Sequence, residues 1–279
     1  MRTVEIRPGI HTSILGFGCA PILGSVDGQT AQQALAAALD VGITHFDLAR
    51  SYGYGEAELF VGRFLRNRRS EVTIATKFGI EATPLAALLG PTKPILRRLR
   101  GRRKPPATSD SAAPAQPGRL PELFLRRRPI TSRLLLRSLE TSLRKLGTDY
   151  VDFLFIHEPL ESVGDIDDVF AAADNAKAQG KLRAFGLAFM TSQAALHSDY
   201  LDRFAVLQFD NSPGAPHYPA TLAERSEGPN IFFSPFRHRA AGETPAGILR
   251  RLSTDFPRSI TLCSMYKPSH IRQNAEVCS

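Results

Sequence analysis

The chain has 279 residues, three cysteines, no tryptophan and a formal net charge of +8, with 43% hydrophobic and 22% charged residues. That length suits one α/β barrel with a sizeable core better than two small domains, and the composition is that of a soluble globular protein. The charge suggests an acidic partner until it is located: twelve basic residues lie between Lys93 and Arg133 against Asp110 and Glu122, so the rest of the chain sums to −2 and the basicity belongs to one stretch, not to the fold.

The opening Met1-Arg-Thr-Val-Glu-Ile-Arg-Pro-Gly9 has no apolar core of a signal peptide, and no run reaches the roughly 18 apolar residues of a membrane helix. The expected location is cytoplasmic. Cys19, Cys263 and Cys278 are odd in number, widely spaced and without metal-ligand spacing, which fits reduced thiols and no metal site.

In chain order, Val4 to Ile6 and Thr12 to Leu15 about Pro8-Gly9 predict a small hairpin closing the bottom of a barrel. Residues 15 to 20 follow as a first inner strand, and an Ala-rich helix over 30 to 40 ends at Gly42. Strand and helix then alternate: strand 44 to 47, helix 56 to 67, strand 72 to 77, a long interruption, helix 131 to 146, strand 151 to 157, helix 166 to 179 and strand 183 to 188. Helix 192 to 201, strand 205 to 209, a helix near 217 to 225, strand 231 to 234, helix 244 to 254, strand 259 to 263 and a helix from Pro268 complete the series. Apolar strands separated by amphipathic helices argue for a parallel sheet. Eight repeats point to a single (β/α)8 TIM barrel over 1 to 279, with an N-terminal β-hairpin and a long basic insertion, residues 80 to 130, after the third strand. An open doubly wound sheet is the rival, but Gly16-Phe-Gly18 runs into Cys-Ala-Pro and lacks the spacing of a dinucleotide loop.

The insertion is too long for an ordinary loop. Residues 104 to 118 have linker composition, and 85 to 103 mix leucines with arginines as a short amphipathic helix would. Because it leaves the C-terminal end of a strand, it emerges beside the functional rim of a barrel. A solvated loop is the plainer reading; contact with anions, or a lid for a phosphorylated or carboxylated substrate, is the functional one. No nucleic-acid partner is expected.

Four residues with chemistry sit where strands end. Asp47 closes Thr44-His-Phe-Asp47, Tyr52 follows in a Gly-punctuated turn, Lys77 closes Val72-Thr-Ile-Ala-Thr-Lys77, and His157 closes Val151-Asp-Phe-Leu-Phe-Ile-His157. Parallel neighbours bring such residues to one face. Singly, each has a plainer reading: a turn cap, a packing aromatic, a solvated strand end, a satisfied core histidine.

Together, Asp47, Ala49, Tyr52, Gly53, Glu58 and Gly62, then Thr76-Lys77, then Asp152 to His157 preceded by Ser142-Leu-Arg-Lys-Leu-Gly-Thr-Asp-Tyr150, resemble the aldo-keto reductase superfamily over most of the chain. The resemblance implies a (β/α)8 oxidoreductase that binds NADPH, with NADH the alternative, and acts on a small-molecule carbonyl or alcohol substrate. It implies Tyr52 as general acid, Lys77 and Asp47 as its tuning pair and His157 as the group that orients the carbonyl. An ammonium about 4 Å from a phenol, at an effective dielectric near 20, favours the phenolate by roughly 4 kcal/mol, on the order of three pKa units.

The same resemblance assigns the cofactor side. Gln208 matches a glutamine under the nicotinamide carboxamide, Phe233 an aromatic stacked on that ring (plainly read, barrel core), and Ser234 a residue near the pyrophosphate. Ser264, Lys267, His270, Arg272 and Asn274 fall in the loop and helix that take the adenosine phosphate, with His270 where a phosphate-reading arginine is usual and Gln273 replacing a glutamate. Ala188 and Phe189 stand where the pattern has a serine and an asparagine. This departure keeps a non-catalytic nicotinamide-binding subunit as the second hypothesis and a redox-neutral enzyme as a variant of the first. A monomer or weak homo-oligomer is expected.

Overall fold

In the computed structural model, which describes residues 1–83, 85–86 and 124–279, the chain first folds back on itself. β1 (Thr3–Arg7) pairs antiparallel with β2 (Ile10–Ser13). Thr12 Oγ1 lies 2.7 Å from Thr73 Oγ1, the Ser13 amide donates to Thr44 Oγ1 at 2.9 Å, and Arg183 donates to the carbonyl of Gly9. These partners all sit where barrel strands begin, so the hairpin covers the N-terminal end of the barrel.

The strands that follow are β3 (Leu15–Gly18), β4 (His45–Asp47), β5 (Thr73–Phe78), β6 (Ile80–Ala82), β7 (Leu125–Arg127), β8 (Val151–His157), β9 (Leu182–Phe189), β10 (Val206–Asp210), β11 (Asn230–Phe233) and β12 (Ile260–Cys263). β3, β4, β5, β8, β9, β10, β11 and β12 close, in that order, into a barrel in which every pairing is parallel. All eight predicted strands take part. β6 and β7 stand apart as an antiparallel ribbon at the two ends of the insertion. The predicted amphipathic helix over 85 to 103 falls outside the described residues except for its first two, as does the linker over 104 to 118.

The α-helices are α1 (Gly28–Asp40), α2 (Ala57–Leu65), α3 (Ser132–Leu146), α4 (Ile166–Ala178), α5 (Tyr218–Arg225), α6 (Pro245–Asp255) and α7 (Pro268–Val277). α1 begins where Asp27 accepts from the amide of Thr30 at 3.0 Å, and it buries Ala31, Ala34, Leu35 and Ala38, the i, i+3, i+4, i+7 stripe of an amphipathic helix. α3 is capped by Thr131, buries a leucine face, and stops at Gly147 with φ 67, a left-handed value that glycine adopts cheaply. α2 crosses α3 closely enough that a Cβ on Gly62 would lie 2.4 Å from the Leu146 carbonyl.

One predicted helix is corrected. Residues 192 to 201 form two 3-10 segments, Thr191–His197 and Leu201–Arg203. His197 Nδ1 lies 2.8 Å from Tyr200 Oη, and this i, i+3 contact suits the tighter turn, in which such positions eclipse. Among the described residues no helix is long and apolar enough to cross a membrane.

The base of the barrel holds a buried histidine. His45 is fully buried, its Nδ1 is 3.1 Å from Thr73 Oγ1, and its Nε2 has no partner. Burial, with the Lys77 charge second, pushes its pKa down to about 3. The unfolded chain takes up a proton on this ring near pH 6.5 and the folded chain does not, so stability is complete above that pH and declines as the pH falls from 6.5 toward 3. The expected loss is about 1.4 kcal/mol per pH unit for this group. His157, held well below its usual value by burial first, adds in the same direction. Urea unfolding at a series of pH values should show the slope, and His45→Gln should remove the His45 share. A curve flat from pH 7 to about 5 in the parent protein would contradict it.

Candidate active site

The C-terminal rim is assembled from strand ends. β4 is three buried residues long, and beyond Asp47 the chain stays on β5, with the Leu48 amide donating to Ala75 O at 2.8 Å and the Arg50 amide to Lys77 O at 3.1 Å. It then turns into a 3-10 segment, Tyr52–Gly55, in which Gly53 has φ 59 and Tyr54 φ 58. A Cβ on Gly53 would lie 2.7 Å from the Ile22 carbonyl, so both the backbone angle and the space require glycine. That turn delivers the Tyr52 ring over the barrel mouth. Glu58, buried on α2, accepts from Thr76 Oγ1 at 2.7 Å and pairs with Arg50 at 3.3 Å. It thereby ties the strand carrying Lys77 to the loop carrying Tyr52.

Lys77 Nζ donates to Asp47 Oδ2 at 2.6 Å, to the Leu48 carbonyl at 2.9 Å and to Tyr52 Oη at 3.1 Å. An ammonium has three N–H bonds, and all three are used. Because Tyr52 Oη accepts from Lys77, its own hydrogen is left to donate elsewhere. The His157 ring stands edge-on to that of Tyr52, centroids 5.9 Å apart, and its Nδ1 is buried without a partner. Burial, then the charges of Lys77 and Arg127, hold His157 well below its usual pKa, so it is a neutral imidazole.

Electrostatics correct one expectation. Burial pushes the Tyr52 phenol up to about 12, against the downward pull of Lys77. The ammonium is not a free charge, because Asp47 is hydrogen-bonded to it and raises the phenol in turn. The Lys77 pKa is itself raised: burial would lower it, and Asp47 and Tyr52 together outweigh that. Lys77 therefore stays charged, and Tyr52 is a protonated donor.

Gln208 joins this group directly. Its Nε2 donates to Asp47 Oδ1 at 2.9 Å, and its Oε1 is buried without a partner. Phe233 and Ser234 lie partly buried at the end of β11, and Ser234 has φ 54 while Glu158, next to His157, has φ 44. Such left-handed values in non-glycine residues concentrate at functional rims. Ser264 Oγ and Tyr266 Oη both donate to the carbonyl of Gly18, at 3.2 and 3.1 Å, closing the last loop onto the first barrel strand. Lys267, His270 and Arg272 are exposed at the start of α7, away from the buried cluster. Asn274 Nδ2 is spent on Met265 Sδ at 3.1 Å.

A second polar group escaped the sequence reading. Asp210 Oδ1 accepts from the amide and the hydroxyl of Thr191, Arg237 pairs with Oδ2 at 3.4 Å, and His217 Nε2 lies 3.0 Å from the Asp210 carbonyl. These residues, with Met190, Ser192, Pro216 and His238, line a cleft of about 330 Å³. The available signal was that Asp210 lies two residues beyond Gln208, hence on the same face of β10. Ala188 and Phe189 are buried, Phe189 against Phe209 at 5.6 Å. Ala188 and Phe189 thus add no polar side chain to this rim, where Thr191 and Asp210 do. Among the described residues no group of side chains could hold a metal ion.

A family model described as the Aldo/keto reductase family matches residues 14–209. The chain belongs to the aldo/keto reductase family. Among its relatives in that family are the D-threo-aldose 1-dehydrogenase of a Pseudomonas species, 28% identical over 192 residues (67% of this chain, 53% of that protein), and the L-glyceraldehyde 3-phosphate reductase of Escherichia coli K12, 30% identical over 188 residues (65% and 43%). The chain spans about half the length of the curated relatives it matches. Solved aldo-keto reductases share its fold. The holo form of AKR11C1 from Bacillus halodurans superposes with a TM-score of 0.69 at 19% identity, covering 99% of this chain and 89% of that one. A Klebsiella pneumoniae aldo-keto reductase in complex with NADPH gives 0.66 at 19%, with the same coverage.

Proposed function

We propose that this family member is an NADPH-dependent oxidoreductase acting on the carbonyl carbon of an aldehyde, ketone or sugar-like substrate, with Tyr52 as general acid and base. The observation that carries the reading is the saturated Lys77 ammonium between Asp47 and Tyr52, which leaves the phenolic hydrogen free to donate at the mouth. In reduction Tyr52 gives that proton to the substrate oxygen, and neutral His157 donates a hydrogen bond to the same oxygen and so fixes the carbonyl plane. Lys77 stabilises the phenolate that results, and Asp47 keeps Lys77 charged and in place. In oxidation the same groups act in reverse.

The residues present fit a nicotinamide. The orphaned Oε1 of Gln208 is an acceptor for a carboxamide N–H, Phe233 offers a ring face, and Ser234 and Ser264 offer hydroxyls for the diphosphate. The bound nucleotide supplies the hydride. Lys267, His270 and Arg272 at the N-terminal end of α7 favour a phosphate, which is the case for NADPH over NADH, while Ser264 contributes its hydrogen only on leaving the Gly18 carbonyl and Asn274 only on leaving Met265. The relatives' names, an aldose dehydrogenase and a triose phosphate reductase, support aldehydes and sugars as the substrate class.

The test is a calorimetric titration with NADPH and with NADH, followed by a carbonyl screen. Micromolar binding of NADPH, weaker binding of NADH and turnover of at least one aldehyde are expected. Binding without turnover would favour the non-catalytic subunit, and binding of neither nucleotide would falsify both readings.

A further inference from the structure

The loop that leaves β5 comes back to the rim as the β6–β7 ribbon, with Ile80 opposite Arg127. Its root is fixed beside the site. The amide of Arg128 donates to the Gly79 carbonyl at 2.8 Å, and a Cβ on Gly79 would lie 3.8 Å from the main-chain nitrogen and oxygen of His157. The Arg127 guanidinium donates to the carbonyl of Glu158, the residue after His157. A permanent cation is therefore held next to the carbonyl-orienting imidazole, close enough for its charge to act on that ring.

This cation is not spent on a carboxylate among the described residues. Among the described residues Arg126, Arg127 and Arg128 form no ion pair, and Arg128 Nε is buried without a partner. Two carboxylates lie near: Glu81 faces Arg126 across the ribbon, and Glu158 is the weakest of the influences on Tyr52. Lys77, by contrast, is neutralised by Asp47. Arg127 is exposed, and its planar fork matches a carboxylate or a phosphate with paired N–H bonds.

We infer that the carbonyl substrate carries an anionic group, a carboxylate or a phosphate, which Arg127 receives while Tyr52 and His157 hold the carbonyl oxygen. This rests on the reductase reading of the same site. Adjacent ribbon residues point to opposite faces, so Arg126 carries the same charge without the same position.

The experiment compares kcat/KM for benzaldehyde with 4-carboxybenzaldehyde, and for glycolaldehyde with its phosphate, in the parent protein, Arg127→Glu and Arg126→Glu. An anionic preference of about tenfold to hundredfold is expected, in one pair or both according to whether carboxylate or phosphate is the natural group. It should fall at least tenfold in Arg127→Glu, much less in Arg126→Glu, and shrink on raising salt to about 0.5 M. A ratio near one for both pairs, or equal changes in the two variants, overturns the inference. Calorimetric binding of 4-(hydroxymethyl)benzoate against its methyl ester separates the two claims. Arg127-dependent preference for the anion with no turnover of any aldehyde sustains the anion site and rejects the reductase; turnover with no preference does the reverse.

Discussion

Tyr52→Phe should lower kcat/KM for carbonyl reduction by about 10²–10⁴-fold, the contribution of a positioned general acid. The ring, its contact with His157 and the fold remain; the hydroxyl is lost, and with it the proton and the acceptor of one Lys77 N–H. Far-UV circular dichroism and NADPH affinity should therefore be unchanged, and the unfolding midpoint should fall only by the cost of the Lys77 N–H left without an acceptor, while turnover collapses. The pH profile gives a second check. With the phenol pushed up to about 12 by burial, Tyr52 stays protonated across the neutral range, so reduction should show no alkaline limb below about pH 10. Oxidation needs the phenolate and should rise with pH over the same range. Neutral His157 adds no acid limb near its usual pKa, because its own lies well below. A Tyr52→Phe variant within about threefold of the parent would remove the phenol from the mechanism and turn attention to His157.

Asp152→Ala should cost about 3–5 kcal/mol of stability, the largest effect expected of any single change far from the rim. Asp152 is almost fully buried at the opposite end of the barrel. Its Oδ2 accepts from Arg69 at 2.8 Å and from the Ile74 amide at 2.9 Å, and its Oδ1 accepts from Arg183 at 2.7 Å. Arg69 in turn donates to Thr148 Oγ1 and to the carbonyls of Val72 and Tyr150. Removing the carboxylate takes the counter-charge from two guanidinium groups, Arg69 and Arg183, and the acceptor from the buried Ile74 amide, and this loss, more than that of the attraction itself, sets the magnitude. Urea unfolding should show a lower midpoint with unchanged slope. Asp152→Asn, which keeps one acceptor, should lose less. In Arg69→Met with Asp152→Ala the losses should fall short of additive, because one network is removed twice. A loss below about 1 kcal/mol in Asp152→Ala would mean that water replaces the carboxylate.

Much of this architecture was legible beforehand. The eight apolar runs became the eight barrel strands because a run buried on both faces has no other place in a parallel sheet. Asp47, Lys77 and His157 were legible as strand-end residues for the same topological reason. The segment after β9 was not, since a run of residues that suits an α-helix also suits 3-10 turns until a contact such as His197 with Tyr200 selects between them. The Thr191–Asp210–Arg237 group joins the 3-10 segment after β9, the end of β10 and the turn after β11, and apart from the two-residue spacing of Gln208 and Asp210 nothing local marks it. The second acceptor on Asp47 is a similar case: Gln208 was read as a ligand for the cofactor, and it is first a hydrogen-bond donor to the Asp47 carboxylate.

The sequence by itself determined the repeat of strand and helix, the rim on which the polar strand ends gather, and the identity of the four residues there, because periodicity and strand direction are local properties that topology converts into a shared face. The tertiary structure alone decided who is bonded to whom and in which protonation state. Lys77 was expected to acidify Tyr52; burial together with the charge of Asp47 leaves the phenol raised instead. Arg127 reads in the chain as one of a solvated basic run, and the β6–β7 ribbon sets it beside His157. Desolvation and charge–charge distance depend on every segment that packs around a group, and no stretch of the chain carries that information alone.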